Sequence, residues 1–366
     1  MENGFEEKGM LQIPKLPLSA ELETRPVLKK LSLANRALAE LKGVTEIIPN
    51  QAILLNTLSL QEAKDSSEIE NIITTQDELF KSDSISQKFT SNAAKEVYNY
   101  AAALRSGYES VKRSRLLRNS TILSIQERIV ENSAGYRTLP GTELKNDLTG
   151  AVIYTPPQEA DLVKSLMSEL EKLINDNSLD DLDPLTKMAV IHHQFESIHP
   201  FYDGNGRTGR IINVLYLVKE GLLNTPVLYL SRYINKNKSE YYRLLQAVRD
   251  QEAAWEDWVL FMLDAVEQTS YNTIRLVHGI RDLMQCHKRV MRDELPKIYS
   301  QDLLNNLFRH PYTKTEFVIK DLQVSRITAA RYLNELVSIG ILTKHRLWKE
   351  NYYLNNSLFN LLIGAS

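Results

Sequence analysis

The stretch His199-Pro200-Phe201-Tyr202-Asp203-Gly204-Asn205-Gly206-Arg207-Thr208-Gly209-Arg210 decides how the rest of the chain is read. It runs straight into Ile211-Ile212-Asn213-Val214-Leu215-Tyr216-Leu217-Val218, whose apolar positions recur at helical spacing, so a loop feeds the start of a buried helix. Gly204 and Gly206 bracket Asn205, which lets the backbone curl tightly and expose successive N–H groups. A helix N-terminus with free N–H groups and a positive dipole end attracts anions. Arg207 and Arg210, three apart, add two fixed positive charges on neighbouring positions of one helical face. One phosphate would hardly need all of this; a polyphosphate would.

Two further residues add chemistry to this cradle. Asp203, just before the glycine turn, is a hard oxygen ligand where Mg²⁺ could bridge protein and phosphate oxygens. His199 titrates near neutral pH when unperturbed and can accept a proton from an incoming hydroxyl. Base, metal ligand, anion cradle and two arginines in one short segment are the parts that phosphoryl-type transfer requires.

Composition bounds the rest. The chain has 366 residues, enough for two or three domains and a substantial core. Charged residues make up 25% and the net charge is −2, which implies no global polyanion-binding field. With only 14 Gly and 12 Pro and long Leu/Ala/Glu/Lys-rich stretches, a mainly α protein is expected. Cys286 is the only cysteine, which excludes an intrachain disulfide framework and a cysteine-based zinc site. Met1–Lys8 lacks a secretory signal pattern and no apolar run could span a bilayer, so a cytoplasmic protein without membrane contact is expected.

The quoted segment resembles the Fic signature, His-x-Phe-x-Asp/Glu-Gly-Asn-Gly-Arg-x-x-Arg, at every fixed position. The resemblance implies a protein adenylyltransferase that moves AMP from ATP to a Tyr, Thr or Ser hydroxyl of a target protein, with ATP as substrate and Mg²⁺ as cofactor. It implies His199 as base, Asp203 as metal ligand, and Gly204, Asn205, Gly206, Arg207, Thr208, Gly209 and Arg210 as the phosphate-binding set. Fic-fold kinases replace the second loop glycine by lysine, and Gly206 speaks against that activity. A Fic-fold kinase or phosphocholine transferase remains the nearer rival. Ser66-Ser67-Glu68-Ile69-Glu70-Asn71 resembles the inhibitory segment Ser/Thr-x-x-x-Glu-Gly/Asn of some Fic proteins, which implies that Glu70, with Ser66, occupies Arg210 and misplaces the γ-phosphate. Removal of AMP from a modified target by a Glu70-activated water is the alternative use of that carboxylate.

Along the chain, residues 1–26 read as an extended arm broken by Pro14, Pro17 and Pro26. Helical patterns follow from Val27 to Gly43, Pro49 to Leu60, 92 to 113, from Leu123, Asp161 to Asn175 and Pro184 to Ile198. Turn signals at Pro140-Gly141, Asn146-Asp147 and Thr149-Gly150 precede the strand candidate Ala151-Val152-Ile153-Tyr154-Thr155, which ends at Pro156-Pro157. By resemblance this is the hairpin flap on which a target segment docks by strand addition, with Val152, Ile153 and Tyr154 in its edge. Also by resemblance, Tyr241 walls the adenine pocket. His192-His193 with Glu196 and His199 invites a zinc reading, but adjacent histidines face different sides of a helix and no third ligand sits at the usual i+4 spacing, so no zinc is expected there.

At the C-terminal end, helices over Ser300–Phe308, Thr313–Asp321 and Ser325–Ile339 and two short strands within Leu342–Tyr353 resemble a winged helix-turn-helix domain. Arg326, Thr328 and Arg331 would face DNA, and Lys344, Arg346 and Lys349 would line the wing, with protein contact as the equal alternative. The expected organisation is a helical region over 1–112 carrying the inhibitory motif, a Fic catalytic core with a small β-hairpin flap over 113–265, a connecting helix over 266–292 and a winged helix-turn-helix domain over 293–366. A DNA-bound regulator using the core as a nucleotide sensor is the reading from another class, and a homodimer stays open.

Overall fold

The computed structural model describes residues 13–75, 78–79, 91–145, 149–347 and 350–364. Helix α1 (Arg25–Thr45) starts with Pro26 in its first turn, where a missing N–H costs nothing. It buries Val27, Leu31, Ala34, Leu38 and Leu41 as a stripe at three-and-four spacing. Helix α2 (Gln51–Ile69) is capped by Asn50 Oδ1 on the Ala52 N–H and runs past Leu60, where its apolar pattern ends. Every residue from Thr57 to Ala63 is buried, so α2 carries polar side chains inside the protein. Glu62 accepts from the Ser231 hydroxyl and from Tyr100 Oη, and Asp65 pairs with Arg232 at 3.3 Å. Those partners keep the polar stretch helical.

Helices α3 (Asn92–Ser114) and α4 (Asn119–Val130) lead to a two-stranded antiparallel hairpin, β1 (Leu144–Lys145) and β2 (Val152–Tyr154), with Leu144 opposite Tyr154. Then come α5 (Ala160–Asn175), α6 (Pro184–Ile198) and α7 (Asn205–Lys219). Helix α6 buries every residue from Leu185 to Ile198, and α7 buries all but Gly206 and Lys219. A helix buried on every side belongs at the centre of a fold, and α3, α4 and α6 all pack on α7. Full burial of Ile211, Ile212, Leu215 and Leu217 is worth about 1.5–3 kcal/mol each.

After α8 (Leu230–Lys236), α9 (Lys238–Asp250) and a 3₁₀ turn comes α10 (Trp255–Glu294), a single helix of 40 residues. The core-closing helix and the connector expected from 266 onward are therefore one continuous element. Helix α1 packs along it, with Lys30 paired to Asp264 and Glu267.

The C-terminal elements are α11 (Gln301–Arg309), β3 (Tyr312–Thr313), α12 (Thr315–Leu322), α13 (Arg326–Ser338), β4 (Thr343–Leu347), β5 (Glu350–Leu354) and α14 (Asn356–Gly364). The strands form an antiparallel sheet in the order β3-β5-β4. Strand β3 and helix α14 add to the three helices and hairpin read from sequence. On α13, Arg326 lies 3.9 Å from Glu316 and Arg331 3.6 Å from Glu335, so each arginine has a carboxylate beside it. Lys349 and the turn expected at Asn146-Asp147 lie outside the described residues. With fourteen α-helices and two small sheets among the described residues, the protein is mainly α. No described helix is long and apolar enough to cross a membrane.

Candidate active site

The motif loop is built by backbone geometry first. His199 ends α6 in the left-handed conformation (φ 48°, ψ 59°), its N–H bonded to Phe195 O at 3.0 Å. The chain then reverses, and the Asn205 amide fastens the reversal: Oδ1 accepts the Phe201 N–H at 2.9 Å and Nδ2 donates to Phe201 O at 2.8 Å. Gly204 (φ +80°) supplies the left-handed N-cap of α7, a conformation that disfavours a side chain. The first internal bond of α7 runs from the Thr208 N–H to Gly204 O at 2.9 Å, so the N–H groups of Asn205, Gly206 and Arg207 remain at the helix entrance.

The last turn of α2 sits on this entrance. Arg210 is 1% exposed and directs three hydrogen bonds there: Nε to Ser66 Oγ at 2.8 Å, Nη2 to Ser66 O at 3.0 Å, and Nη2 to Glu70 Oε1 at 2.8 Å. A Cβ on Gly206 would collide with that same Glu70 oxygen. Burial pushes the Glu70 carboxyl up, but Arg210, with Arg207 and Lys238, outweighs it and holds the group below its ordinary value. Burial likewise opposes the Arg210 charge, and Glu70, with Tyr241 and Tyr100, more than compensates. A carboxylate thus stands at a helix N-terminus, on an arginine, where a phosphate would find the same partners.

Arg207 is held between Glu96 (2.9 Å) and Asp203 Oδ1 (3.2 Å). Asp203 also accepts the Gly204 N–H on Oδ1, at 2.6 Å, and its side chain is 72% exposed. Burial, then Arg249 and Arg137, push the His199 imidazole down to about 4, so it is neutral at pH 7, as a proton acceptor must be. Its Nδ1 has no partner among the described residues.

Family models match along most of the chain. Fic/DOC family N-terminal matches residues 28–109, and Fic/DOC family matches 116–217, which includes the motif loop and most of α7. The two together span half of the protein. The chain belongs to the Fic/DOC family. A third model, Protein adenylyltransferase SoFic-like, C-terminal domain, matches residues 283–358.

Among curated Fic relatives, the protein adenylyltransferase Fic of Drosophila erecta is 29% identical over 131 residues, 36% of this chain and 25% of that protein. The protein of the same name from Drosophila grimshawi is 31% identical over 116 residues, 32% of this chain and 22% of that protein. The chain spans about a quarter of the length of these relatives. A solved Fic family protein from Desulfovibrio desulfuricans G20 shares the fold at TM-score 0.58 and 21% identity, covering 93% of this chain and 98% of that one. A Fic-domain signalling protein from Bacteroides thetaiotaomicron VPI-5482 aligns at TM-score 0.53 and 17% identity, covering 68% of this chain and 97% of that one.

Not every residue of the Fic motif faces the cradle. Gly209 lies against α6, where a Cβ would come 2.5 Å from Glu196 Oε1 and 3.0 Å from Phe195, so its small size lets the two helices approach. Thr208 is fully buried and its N–H is spent inside the helix. The Asn205 side chain is spent on Phe201, as described. Tyr241, expected to wall an adenine pocket, is buried among Trp258, Phe261 and His192, with its hydroxyl 2.8 Å from His192 Nε2. Its ring offers no face to a base in this arrangement, because the core already covers it. His193 Nε2 faces Leu245 O at 3.2 Å.

In the flap, Val152 and Ile153 are about half exposed, whereas Tyr154 turns inward. Tyr154 donates to Ser197 O at 2.8 Å and lies under the Arg249 guanidinium at 3.9 Å. Reading the sequence missed Arg137. Fully buried, it donates from Nε to His199 O at 2.8 Å and from Nη2 to Ile198 O at 3.3 Å and to Pro157 O, and its backbone N–H bonds Pro200 O at 2.9 Å. One side chain thus joins the His199 loop to the residues that follow β2. A lone arginine in a turn-rich stretch carries no local pattern that would mark it.

A cavity of about 500 Å³ lies between residues 13–19 and the junction of α9 with α10, with Tyr154 of β2 and Ser197, two residues before His199, in its wall. For metal, the described residues hold no cluster of three or more His, Cys, Asp or Glu side chains. One exposed carboxylate at the mouth of an anion cradle fits Mg²⁺ that arrives with phosphates and takes only one or two protein ligands.

Proposed function

We propose that this Fic protein transfers AMP from ATP to a Tyr, Thr or Ser hydroxyl of a protein, and that Glu70 holds it inactive. The observation that carries the reading is the Glu70 carboxylate on Arg210, over the Gly206 entrance of α7. The phosphates of ATP bind the N–H groups of Asn205, Gly206 and Arg207, and Arg210 takes the γ-phosphate once Glu70 has moved aside. Mg²⁺ held by Asp203 would neutralise charge on the phosphates.

The target segment pairs with the exposed edge of β2 beside Val152 and Ile153. Its hydroxyl oxygen forms a bond to the α-phosphorus while the bond to the β-phosphate oxygen breaks. Pyrophosphate leaves, and the hydroxyl proton passes to neutral His199. Arg207, Arg210 and the helix entrance stabilise the charge that develops, typically the largest catalytic contribution. Transfer at the α-phosphorus is supported by the family match and by the likeness of residues 283–358 to the C-terminal domain of SoFic-like protein adenylyltransferases.

The test uses ATP labelled separately at the α and γ positions, with wild type, Glu70→Gly and His199→Ala in a cell lysate. Transfer of α label alone, raised in Glu70→Gly and absent in His199→Ala, is the expected result. Transfer of γ label would make the protein a kinase and overturn the reading.

A further inference from the structure

We propose that Gln61 is a positioning residue through which the C-terminal helix α14 holds α2, and so keeps Glu70 on Arg210. This rests on the autoinhibition reading above and extends it to the end of the described chain.

The burial of α2 points to this role. A helix resting on a core buries a stripe, but α2 buries seven consecutive residues, Thr57 to Ala63, almost two full turns. One side is covered by α3 and α8, where Glu62 meets Tyr100 and Ser231. Helix α11 also packs on α2, and the Gln61 side chain of α2 reaches a backbone carbonyl of α14. Gln61, 1% exposed, donates from Nε2 to Leu362 O at 2.7 Å. Its Oε1 is buried and has no partner among the described residues, so the amide is held through one bond only.

Helix α14 is itself seated on α10. Gly279 lacks the Cβ that would come 2.8 Å from Leu361 Cδ1, and that gap admits the residue next to Leu362. From Gln61 to Glu70 is nine residues of near-continuous helix, about 14 Å at the helical rise. A rigid helix carries a displacement at one end to the other. The contact chain therefore runs α10, α14, Gln61, α2, Glu70, Arg210, and drawing α14 off α10 would loosen the inhibitory turn without touching the catalytic loop.

The experiment measures α-label transfer by the full chain, comparing wild type, Glu70→Gly, Gln61→Ala, Gly279→Ala and the double variant Gln61→Ala/Glu70→Gly. Gly279→Ala is the second route to the same end, since its methyl pushes Leu361 away while leaving α2 intact. The expected result is transfer raised about fivefold by Gln61→Ala, the shift that loss of one buried hydrogen bond brings, with Gly279→Ala in the same direction. The double variant should match Glu70→Gly, because both changes act through one carboxylate, and amide exchange over α2 should quicken in Gln61→Ala. A merely structural glutamine would instead lower transfer in the Glu70→Gly background. If Glu70→Gly raises transfer while Gln61→Ala and Gly279→Ala stay at the wild-type rate, the latch is overturned. If Gln61→Ala adds to Glu70→Gly, the effect bypasses Glu70 and the latch is also overturned. If Glu70→Gly itself leaves transfer unchanged, the autoinhibition reading fails first, and that outcome is distinguishable from the other two.

Discussion

Glu70 Oε1 stands 2.8 Å from Arg210 Nη2 and also fills the space a side chain on Gly206 would take. Breaking a buried pair costs about 3–5 kcal/mol because the remaining charge is left uncompensated. Here the cost is smaller, since the Glu70 side chain is 33% exposed and water can reach the gap. Glu70→Ala is therefore expected to lower the melting temperature without ligand and to recover it with ATP and Mg²⁺, whose phosphate replaces the carboxylate. Wild type should show the smaller ATP-induced shift. Thermal melts of both proteins with and without nucleotide check this, and equal shifts would refute it.

Arg137 predicts a different split. Its guanidinium holds carbonyls at the end of α6 and at the flap exit but touches no part of the phosphate cradle. Lysine cannot reproduce a planar group that serves several carbonyls at once. Arg137→Lys should lower kcat for AMP transfer by about 10–100-fold through misplacement of His199, with little change in ATP affinity. Steady-state kinetics beside equilibrium nucleotide binding, both in the Glu70→Gly background, separate the two. A loss confined to ATP binding would place Arg137 in the wrong role.

His199 gives a pH signature. The acceptor form is the neutral imidazole, and burial with Arg249 and Arg137 nearby lowers its pKa to about 4. An unperturbed imidazole would lose this form as pH falls through about 6.5. In this site the neutral form persists well below that, so kcat in Glu70→Gly should stay level from pH 8 down to about 5.5. A fall centred near pH 6.5 would mean that the imidazole is solvated when the chemistry occurs.

What could be read from sequence was what is local. The motif loop declares itself because the histidine, the glycine turn, the helix cap and the arginines are contiguous, and the helices with clear apolar stripes, such as α1 and α5, follow from spacing. Gly209 shows the limit: within the motif it looks like part of the cradle, yet its partner is Glu196 on another helix. Tyr241 shows the same, since an aromatic residue reads alike whether it walls a pocket or packs on Trp258. The polar run Gln61-Glu62 hides a buried helix, because its partners Leu362, Ser231 and Tyr100 are distant in sequence. Arg137 is invisible for that reason too.

Glu62 supplies the last prediction. It is fully buried between α2, α3 and α8, accepting from Ser231 and Tyr100, and burial raises its pKa to about 7. Asp65 adds to the rise, while the Ser231 hydrogen bond and Arg210 oppose it. The unfolded carboxyl titrates near 4.5. The sign follows: between about pH 4.5 and pH 7 the folded state binds the proton more tightly, so the stability this group confers is full below that window and lost as pH rises through it. A shift of this size corresponds to about 3 kcal/mol on the alkaline side. Glu62→Gln keeps the shape and removes the titration. The stability of Glu62→Gln relative to wild type should therefore grow from pH 4.5 to 7 and level off above 8. Glu196, also raised to about 7, is present in both proteins and cancels in the comparison. Denaturant midpoints at pH 5, 6, 7 and 8 measure the gap, and a gap that does not change with pH would show that Glu62 titrates as an ordinary surface carboxylate.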